Sequence, residues 1–231
     1  MHHDVRFPNE PDDYRAARDE LLQEEIELRR TTEAVAAKRR ALPLGGETAT
    51  DYEFEGVDGT IKLSELFAEG KDTLFLYSHM YFRGDEPRPG VLEGPLKTPC
   101  PACTSIIDAV DGDAEHIAQR INIAVAAKAP LQMFSEHAQN RGWRHIRVLS
   151  SAKSTYNVDY QAEDAEGSQW PLATVFVKRD GKIQHFWSSE LWMADRDEGE
   201  DPRHVDFMWP LWSILDATPE GRGDFHPSLR Y

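Results

Sequence analysis

The spacing of apolar residues near the N-terminal end predicts one long helix. Seven-residue steps place a narrow apolar stripe along it, formed by Tyr14, Ala17, Leu21, Leu28 and Val35. Pro11 suits the first helical position, where its missing N–H needs no partner, and Pro43 follows the end. Gly45-Gly46 then predicts a hinge. We therefore expect a helical arm over residues 1–45, whose stripe forms a homodimer contact because it would otherwise face water. The alternative is that the stripe packs back on its own domain.

Beyond residue 50 the pattern changes to short apolar runs separated by turns. Asp58-Gly59 and Arg179-Asp180-Gly181 each lie between two strand-like runs and predict two hairpins. Buried strands are expected at residues 73–77, 121–125 and 146–149. Helices are expected from Cys103 to about Arg120, over Leu131–Arg141 and over Phe207–Leu215. This alternation predicts an α/β domain with a mixed sheet over residues 46–190 and a C-terminal extension over residues 191–231.

The net negative charge of the chain disfavours nucleic acid and anionic membranes as partners. The chain carries 26 Lys+Arg against 41 Asp+Glu, a net charge of -15, which repels nucleic-acid phosphates and anionic lipid. The first residues lack the apolar stretch of a signal peptide, and no later run has the roughly 18 apolar residues of a membrane helix. We expect a cytoplasmic protein that binds neither nucleic acid nor membrane.

The two cysteines, Cys100 and Cys103, are spaced C-x-x-C where a helix is predicted to begin. In a reducing compartment such a pair is not expected to be a permanent disulfide. It is a redox pair, half of a metal site, or a coincidence. A site of four thiolates within one chain is excluded, since the chain has only 2 Cys.

Several motifs spread along the chain carry a family resemblance. They are Phe7-Pro8-Asn9-Glu10, Tyr14-Arg15-Ala16-Ala17-Arg18, Pro99-Cys100-Pro101-Ala102-Cys103-Thr104-Ser105, His185-Phe186-Trp187 and Asp201-Pro202-Arg203-His204. They resemble a bacterial thioredoxin-like family known as a domain of unknown function, and the segment from Phe54 to Tyr77 resembles the opening of peroxiredoxin-like members of the thioredoxin superfamily. The resemblance covers nearly the whole chain and implies a thioredoxin-like fold with a mixed central sheet.

The resemblance also implies roles for individual residues. Cys100 takes the position of an exposed attacking thiol, and Cys103 that of the resolving thiol one turn inside the helix. Pro171 takes the place of the cis-proline that faces the cysteines in thioredoxin-like folds. Pro101 and Trp170 join it as the implied substrate-binding residues.

The chain departs from these patterns at one segment. Residues 78–99 separate the central strand from the cysteines, whereas thioredoxins place the cysteines directly after that strand. Lys97 stands where peroxiredoxins carry a threonine, which disfavours a peroxidase. The segment from Phe82 to Pro99 is too rich in Pro and Gly to predict as an element, and we expect it to be a loop that covers the cysteine edge as a lid.

Three functions follow from the cysteine pair. The first is a thiol–disulfide oxidoreductase without a cofactor, acting on protein or small-molecule thiols and disulfides, in which the helix start lowers the pKa of Cys100 from about 8.5 towards 7. The second is a copper-type metal site of Cys100, Cys103 and His79, although His79 is explained more simply as a polar residue at a strand end. The third is a redox-inactive binding module. His204, with Asp201 and Asp206, is explained by a turn rather than by a metal cluster.

Overall fold

The computed structural model of the protein describes residues 6–84 and 94–230. The chain divides into two compact units, one ending at Pro43 and the other beginning at Leu44. The first unit contains the predicted long helix, α1, over Asp12–Arg40. Pro11 precedes the helix in extended conformation, so the helix begins one residue later than predicted. Four large side chains of the stripe are exposed: Tyr14, Leu21, Leu28 and Val35.

The second unit contains a sheet with helices, and its described elements follow the predicted alternation. The strands are β1 (Glu53–Gly56), β2 (Gly59–Lys62), β3 (Thr73–His79), β4 (Tyr81–Arg83), β5 (Leu96–Pro99), β6 (Asn122–Ala127), β7 (Arg147–Ser150), β8 (Leu172–Arg179) and β9 (Lys182–Ser188). The helices are α2 (Pro101–Ala118), α3 (Leu131–Arg141), α4 (Tyr156–Asp159) and α5 (Pro210–Leu215). The predicted last helix is thus shorter, with a 3-10 turn over Asp206–Met208 in front of it.

Seven strands form one mixed sheet in the order β2-β1-β7-β6-β3-β8-β9. Strand β3 lies inside the sheet, parallel to β6 and antiparallel to β8. The next parallel pair is β6 with β7, and the β8–β9 hairpin closes the other edge. This arrangement, with a helix starting beside the end of β3, is a thioredoxin-like fold, and the predicted fold class is confirmed.

Both predicted hairpins are present, and the second shows why its turn needs these residues. Asp180 and Gly181 have φ of 51° and 77°, the positive values that a two-residue hairpin turn of type I′ requires at both central positions. Aspartate and glycine adopt this conformation at little cost.

The side chains of β3 alternate between two hydrophobic clusters. Leu74 and Leu76 belong to one cluster, together with residues of β1 and β6. Tyr77 belongs to the other, which contains both cysteines, residues of α2 and α3, and Trp209 and Trp212. Because successive side chains of a strand point to opposite faces, Tyr77 lies on the face that α2 covers.

The segment from Phe82 to Pro99 corrects an expectation. We predicted a loop without an element, but its two ends pair as an antiparallel ladder of β4 and β5, with Tyr81 opposite Pro99. Such a short ladder is held by backbone hydrogen bonds, so the amino-acid composition of the segment does not predict it. Phe82 and Leu96 pack against the cluster that contains both thiols, so the base of the segment lies on the cysteine side. Half of the predicted lid, residues 85–93, lies outside the described residues.

Two aspartates of α2 fix that helix to the connection between α3 and β7. Asp111 is buried and accepts the backbone N–H groups of residues 144, 145 and 146 at 2.9–3.1 Å. Asp108 accepts the indole N–H of Trp143 at 2.8 Å and a guanidinium N–H of Arg141. Although burial opposes ionisation, the hydrogen bonds from the three amides lower the pKa of Asp111 below its usual value.

Asp111→Ala should destabilise the fold by about 2–3 kcal/mol, because three backbone donors lose their acceptor. The folded-state pKa of Asp111 is lowered, so its contribution is complete above the unfolded value near 3.9 and is lost as pH falls through the folded value. Urea unfolding at pH 7 and pH 3 should therefore show a smaller difference between wild type and variant at pH 3. Asp113→Ala, on the exposed face of the same helix, should leave the unfolding free energy unchanged at both pH values. An equal loss of stability in both variants would contradict the anchoring role of Asp111.

Candidate functional site

The paired β4 and β5 strands carry the chain back to the end of β3. The backbone N–H of Cys100 donates to the carbonyl of Met80 at 3.0 Å. Cys100 is in extended conformation and caps α2, with Pro101 at the first helical position. The C-x-x-C therefore begins its helix beside the central strand, although 19 residues, 81–99, intervene.

Both cysteines are reduced thiols, and they lie close together. The backbone N–H of Cys103 donates to Cys100 Sγ at 3.4 Å. Cys100 is 3% exposed and Cys103 1%, so the expected exposure of Cys100 is wrong. The reason is tertiary: Cys100 belongs to the cluster that also contains Met80, Tyr81 and Trp209.

The pKa expected for Cys100 is wrong as well. Its hydrogen bond with Cys103 and its burial raise the pKa of Cys100 well above its usual value. Burial also opposes ionisation of Cys103, but hydrogen bonds from Cys100 and Tyr77 outweigh it and lower the pKa of Cys103. The two thiols titrate as one pair. The first proton leaves Cys103, and the second is held on Cys100 because two adjacent thiolates repel each other.

Tyr77 is a site residue that the sequence reasoning missed. It is 1% exposed, and its hydroxyl donates to Cys103 Sγ at 3.4 Å. Within the apolar run of residues 73–77, the pattern marks it only as a core side chain. The signal that could have found it is a tyrosine two residues before the strand end, on the face that alternation assigns to the cysteine helix.

His79 lies at the end of β3, as predicted, but it contacts Thr104 rather than a cysteine. Its Nε2 is 3.2 Å from Thr104 Oγ1, and His137 Nε2 is 3.0 Å from the same oxygen. Thr104 also donates to the Cys100 carbonyl at 2.9 Å. Over residues 6–84 and 94–230 there is no group of three His, Cys, Asp or Glu placed to hold a metal ion. The geometry therefore does not support the Cys100, Cys103 and His79 metal site.

The implied substrate-binding residues are near the same end of the sheet. Pro171 directly precedes β8, in which Leu172 pairs with Ser78 of β3. Its peptide bond is trans rather than the expected cis, and its carbonyl accepts a hydrogen bond from His204 Nε2 at 3.1 Å. Trp170 is half-buried against Trp192, with ring centroids 5.7 Å apart. Pro101 is half-buried at the start of α2.

The C-terminal extension packs on the cysteine helix. Trp209 donates its indole N–H to Ser105 Oγ at 3.1 Å, and both Trp209 and Trp212 are buried. Arg222 forms ion pairs with Asp201, Asp206 and Asp216. The two aspartates considered as metal ligands thus serve this ionic network instead.

A family model described as a bacterial protein of unknown function, DUF899, matches residues 5–230. The chain belongs to that family. No curated protein matches it. None of the helices in the described part of this DUF899 chain is long and apolar enough to cross a membrane.

Solved structures similar to this DUF899 chain include thiol proteins. One is a putative thiol:disulfide interchange protein DsbE from Chlorobium tepidum, with 17% identity, a TM-score of 0.37, and coverage of 63% of this chain and 86% of that chain. Another is peroxiredoxin Q from Xanthomonas campestris, with 10% identity, a TM-score of 0.42, and coverage of 74% and 96%. At this distance, the function has to be argued from the residues of the site.

The buried histidines predict an acid-dependent loss of stability. Burial lowers the pKa of His79 to about 3 and that of His137 to about 4, whereas an unfolded histidine titrates near 6.5. Between these values the unfolded chain binds more protons, so stability falls as pH falls below about 6.5.

His79→Phe should reduce the slope of unfolding free energy against pH by about 1.4 kcal/mol per pH unit between pH 5.5 and 4.5. Denaturant unfolding at several pH values measures this slope. The matched control is His116→Phe on the exposed side of α2, which should leave the slope unchanged. A slope in His79→Phe equal to that of wild type would show that His79 is not held neutral.

Proposed function

We propose that the protein is a thiol–disulfide oxidoreductase in which Cys100 attacks and Cys103 resolves. One observation carries this proposal: two reduced thiols at the N-terminal end of α2, with Cys100 Sγ accepting the backbone N–H of Cys103 at 3.4 Å. A helix N-terminus and backbone N–H donors stabilise a thiolate, which is the reactive form of cysteine.

The reaction has two exchanges. Cys103, which loses the first proton of the pair, takes the proton of Cys100, and the Cys100 thiolate attacks a substrate disulfide R–S–S–R′. This forms a mixed disulfide, Cys100–S–S–R, and releases R′–S⁻. Cys103 then loses its proton and attacks Cys100 Sγ as a thiolate, which releases R–S⁻ and closes the Cys100–Cys103 disulfide. The two cysteine protons end on the two released thiols, so the substrate is reduced and the pair oxidised.

Burial of both sulfurs sets a condition on the substrate. Exchange requires an in-line approach to the attacking sulfur, so the cover over Cys100 must open, or the substrate must be small enough to enter. We propose a protein or small-molecule disulfide as the substrate class, bound along Pro101, Trp170 and Pro171. A cytoplasmic location belongs to the same proposal, because a C-x-x-C pair in a reducing compartment is expected to be catalytic rather than a permanent disulfide.

The redox-inactive binding module is the second candidate. The observation that favours it is the same burial, since Cys100 and Cys103 are 3% and 1% exposed and buried cysteines often serve as small apolar side chains. The two candidates differ in one respect: only the first forms a Cys100–Cys103 disulfide under mild oxidation.

Cys103→Ser should accumulate mixed disulfides with Cys100, because the resolving sulfur is absent. Cys100→Ser should accumulate far fewer, since the attacking sulfur is absent. Non-reducing electrophoresis and mass spectrometry after exposure to glutathione disulfide and cell extract measure both. The binding module would take the place of the oxidoreductase if wild type forms no internal disulfide and both variants trap equally little.

A homodimer through α1 is also part of this proposal. The stripe of Tyr14, Leu21, Leu28 and Val35 is exposed, and an exposed apolar stripe marks a protein contact. We propose that a second copy of the chain covers it.

Leu21→Glu with Leu28→Glu should convert the dimer to a monomer, because two charges would be buried at the contact. Gln23→Glu with Ala37→Glu adds the same charge on the opposite helix face and should leave the dimer intact. Light-scattering mass after gel filtration distinguishes the variants. A wild-type mass equal to that of one chain would contradict the dimer.

A further inference from the structure

The hydrogen bond between Tyr77 and Cys103 joins the central strand to the resolving thiol. Tyr77 Oη donates to Cys103 Sγ at 3.4 Å, and both residues are 1% exposed. A buried thiolate loses the solvation of water, so donors supplied by the protein decide whether it forms. Tyr77 is such a donor, and it reaches Cys103 from the strand rather than from the cysteine helix.

Tyr77 remains a donor at working pH. Burial and the neighbouring cysteines raise the pKa of Tyr77 well above its usual value, so the phenol keeps its proton. The titratable groups that act on Cys103 are Cys100 and Tyr77, and the backbone amide of Met80 is a further donor. Nearby, His79 and His137 are neutral at neutral pH, because burial lowers their pKa values to about 3 and about 4.

The partners of Cys103 change during the reaction. In the reduced pair, Cys100 and Tyr77 both donate to Cys103. Once Cys100 Sγ is bonded to the substrate sulfur, it has no proton to donate. Tyr77 is then the side-chain donor left to Cys103, at the step in which Cys103 must be a thiolate to attack.

We propose that Tyr77 is a positioning residue for the second exchange: its hydroxyl holds Cys103 Sγ as a thiolate facing the mixed disulfide on Cys100. This inference rests on the proposed function. In the step, Cys103 Sγ bonds to Cys100 Sγ, the bond from Cys100 Sγ to the substrate sulfur breaks, and the electron pair leaves with the substrate thiolate. Tyr77 keeps its own proton throughout, and the proton lost by Cys103 ends on the leaving thiol.

The test resolves the two exchanges in one experiment. Reduced full-length protein is mixed with one equivalent of the aromatic disulfide dithiobis(nitrobenzoate), whose coloured thiolate is released once by attack of Cys100 and once by closure with Cys103. Tyr77→Phe should slow the second release about tenfold at neutral pH and raise its pH midpoint by about one unit. The first release should stay within about twofold of wild type.

Tyr81→Phe is the matched control. Tyr81 is buried in the same cluster, and within the described ranges its hydroxyl has no hydrogen-bond partner, so its removal should change neither release. A second release in Tyr77→Phe with the rate and pH midpoint of wild type overturns the inference while the oxidoreductase stands. Absence of a second release in wild type overturns both.

A further measurement leaves Tyr77 in place, and so does not depend on the folding of Tyr77→Phe. In Cys100→Ser, thiolate absorbance against pH reports Cys103 without its coupled partner. The inference expects a midpoint below the free-cysteine value of about 8.5 in spite of burial. A midpoint above that value would show that Tyr77 does not stabilise the thiolate and would overturn the inference.

Discussion

The backbone hydrogen bond from Cys100 to the Met80 carbonyl is the constraint on which the site depends. Together with the pairing of β4 and β5, it brings Cys100 back next to the end of β3. The bond places the start of α2 beside the end of the central strand. The helix can then direct its N-terminal amides at Cys100 while its first turn packs on the strand.

Because Cys100 lies next to the end of β3, two neighbouring side chains of the strand contact α2. Tyr77 and His79 lie two residues apart on one face of β3, and they meet Cys103 and Thr104, which are consecutive in α2. The two-residue period of the strand thus places the Tyr77 hydroxyl against Cys103 Sγ and the His79 ring against the Thr104 hydroxyl. On the outer side, Asp108 and Asp111 fix the same helix to the connection after α3. The cysteine helix is held from both sides by side chains of specific geometry rather than by apolar packing alone.

Local patterns explain which features could be predicted from the sequence. The hairpin at Asp180-Gly181 and the strand of residues 73–77 follow from turn chemistry and apolar runs within a few residues. The burial of Cys100 does not follow from local patterns, because it depends on Trp209 and other residues distant in the sequence. The hydrogen bond with Cys103, together with the same burial, raised the pKa of Cys100 where a lowered one was expected. The pairing of Tyr81 with Pro99 joins the ends of a segment whose composition favours a loop. The C-x-x-C position was visible in the sequence; its surroundings were not.

Burial of both sulfurs also has a kinetic consequence. A thiol behind a closed cover reacts only in the fraction of time in which the cover is open. At low substrate concentration, the rate is then the product of that open fraction and the intrinsic reactivity of the thiolate. At high concentration it reaches a ceiling equal to the rate of opening, whatever the chemical nature of the disulfide. If the protein acts as the proposed oxidoreductase, the packing of Trp209 on Ser105 limits the rate of exchange as well as stabilising the fold.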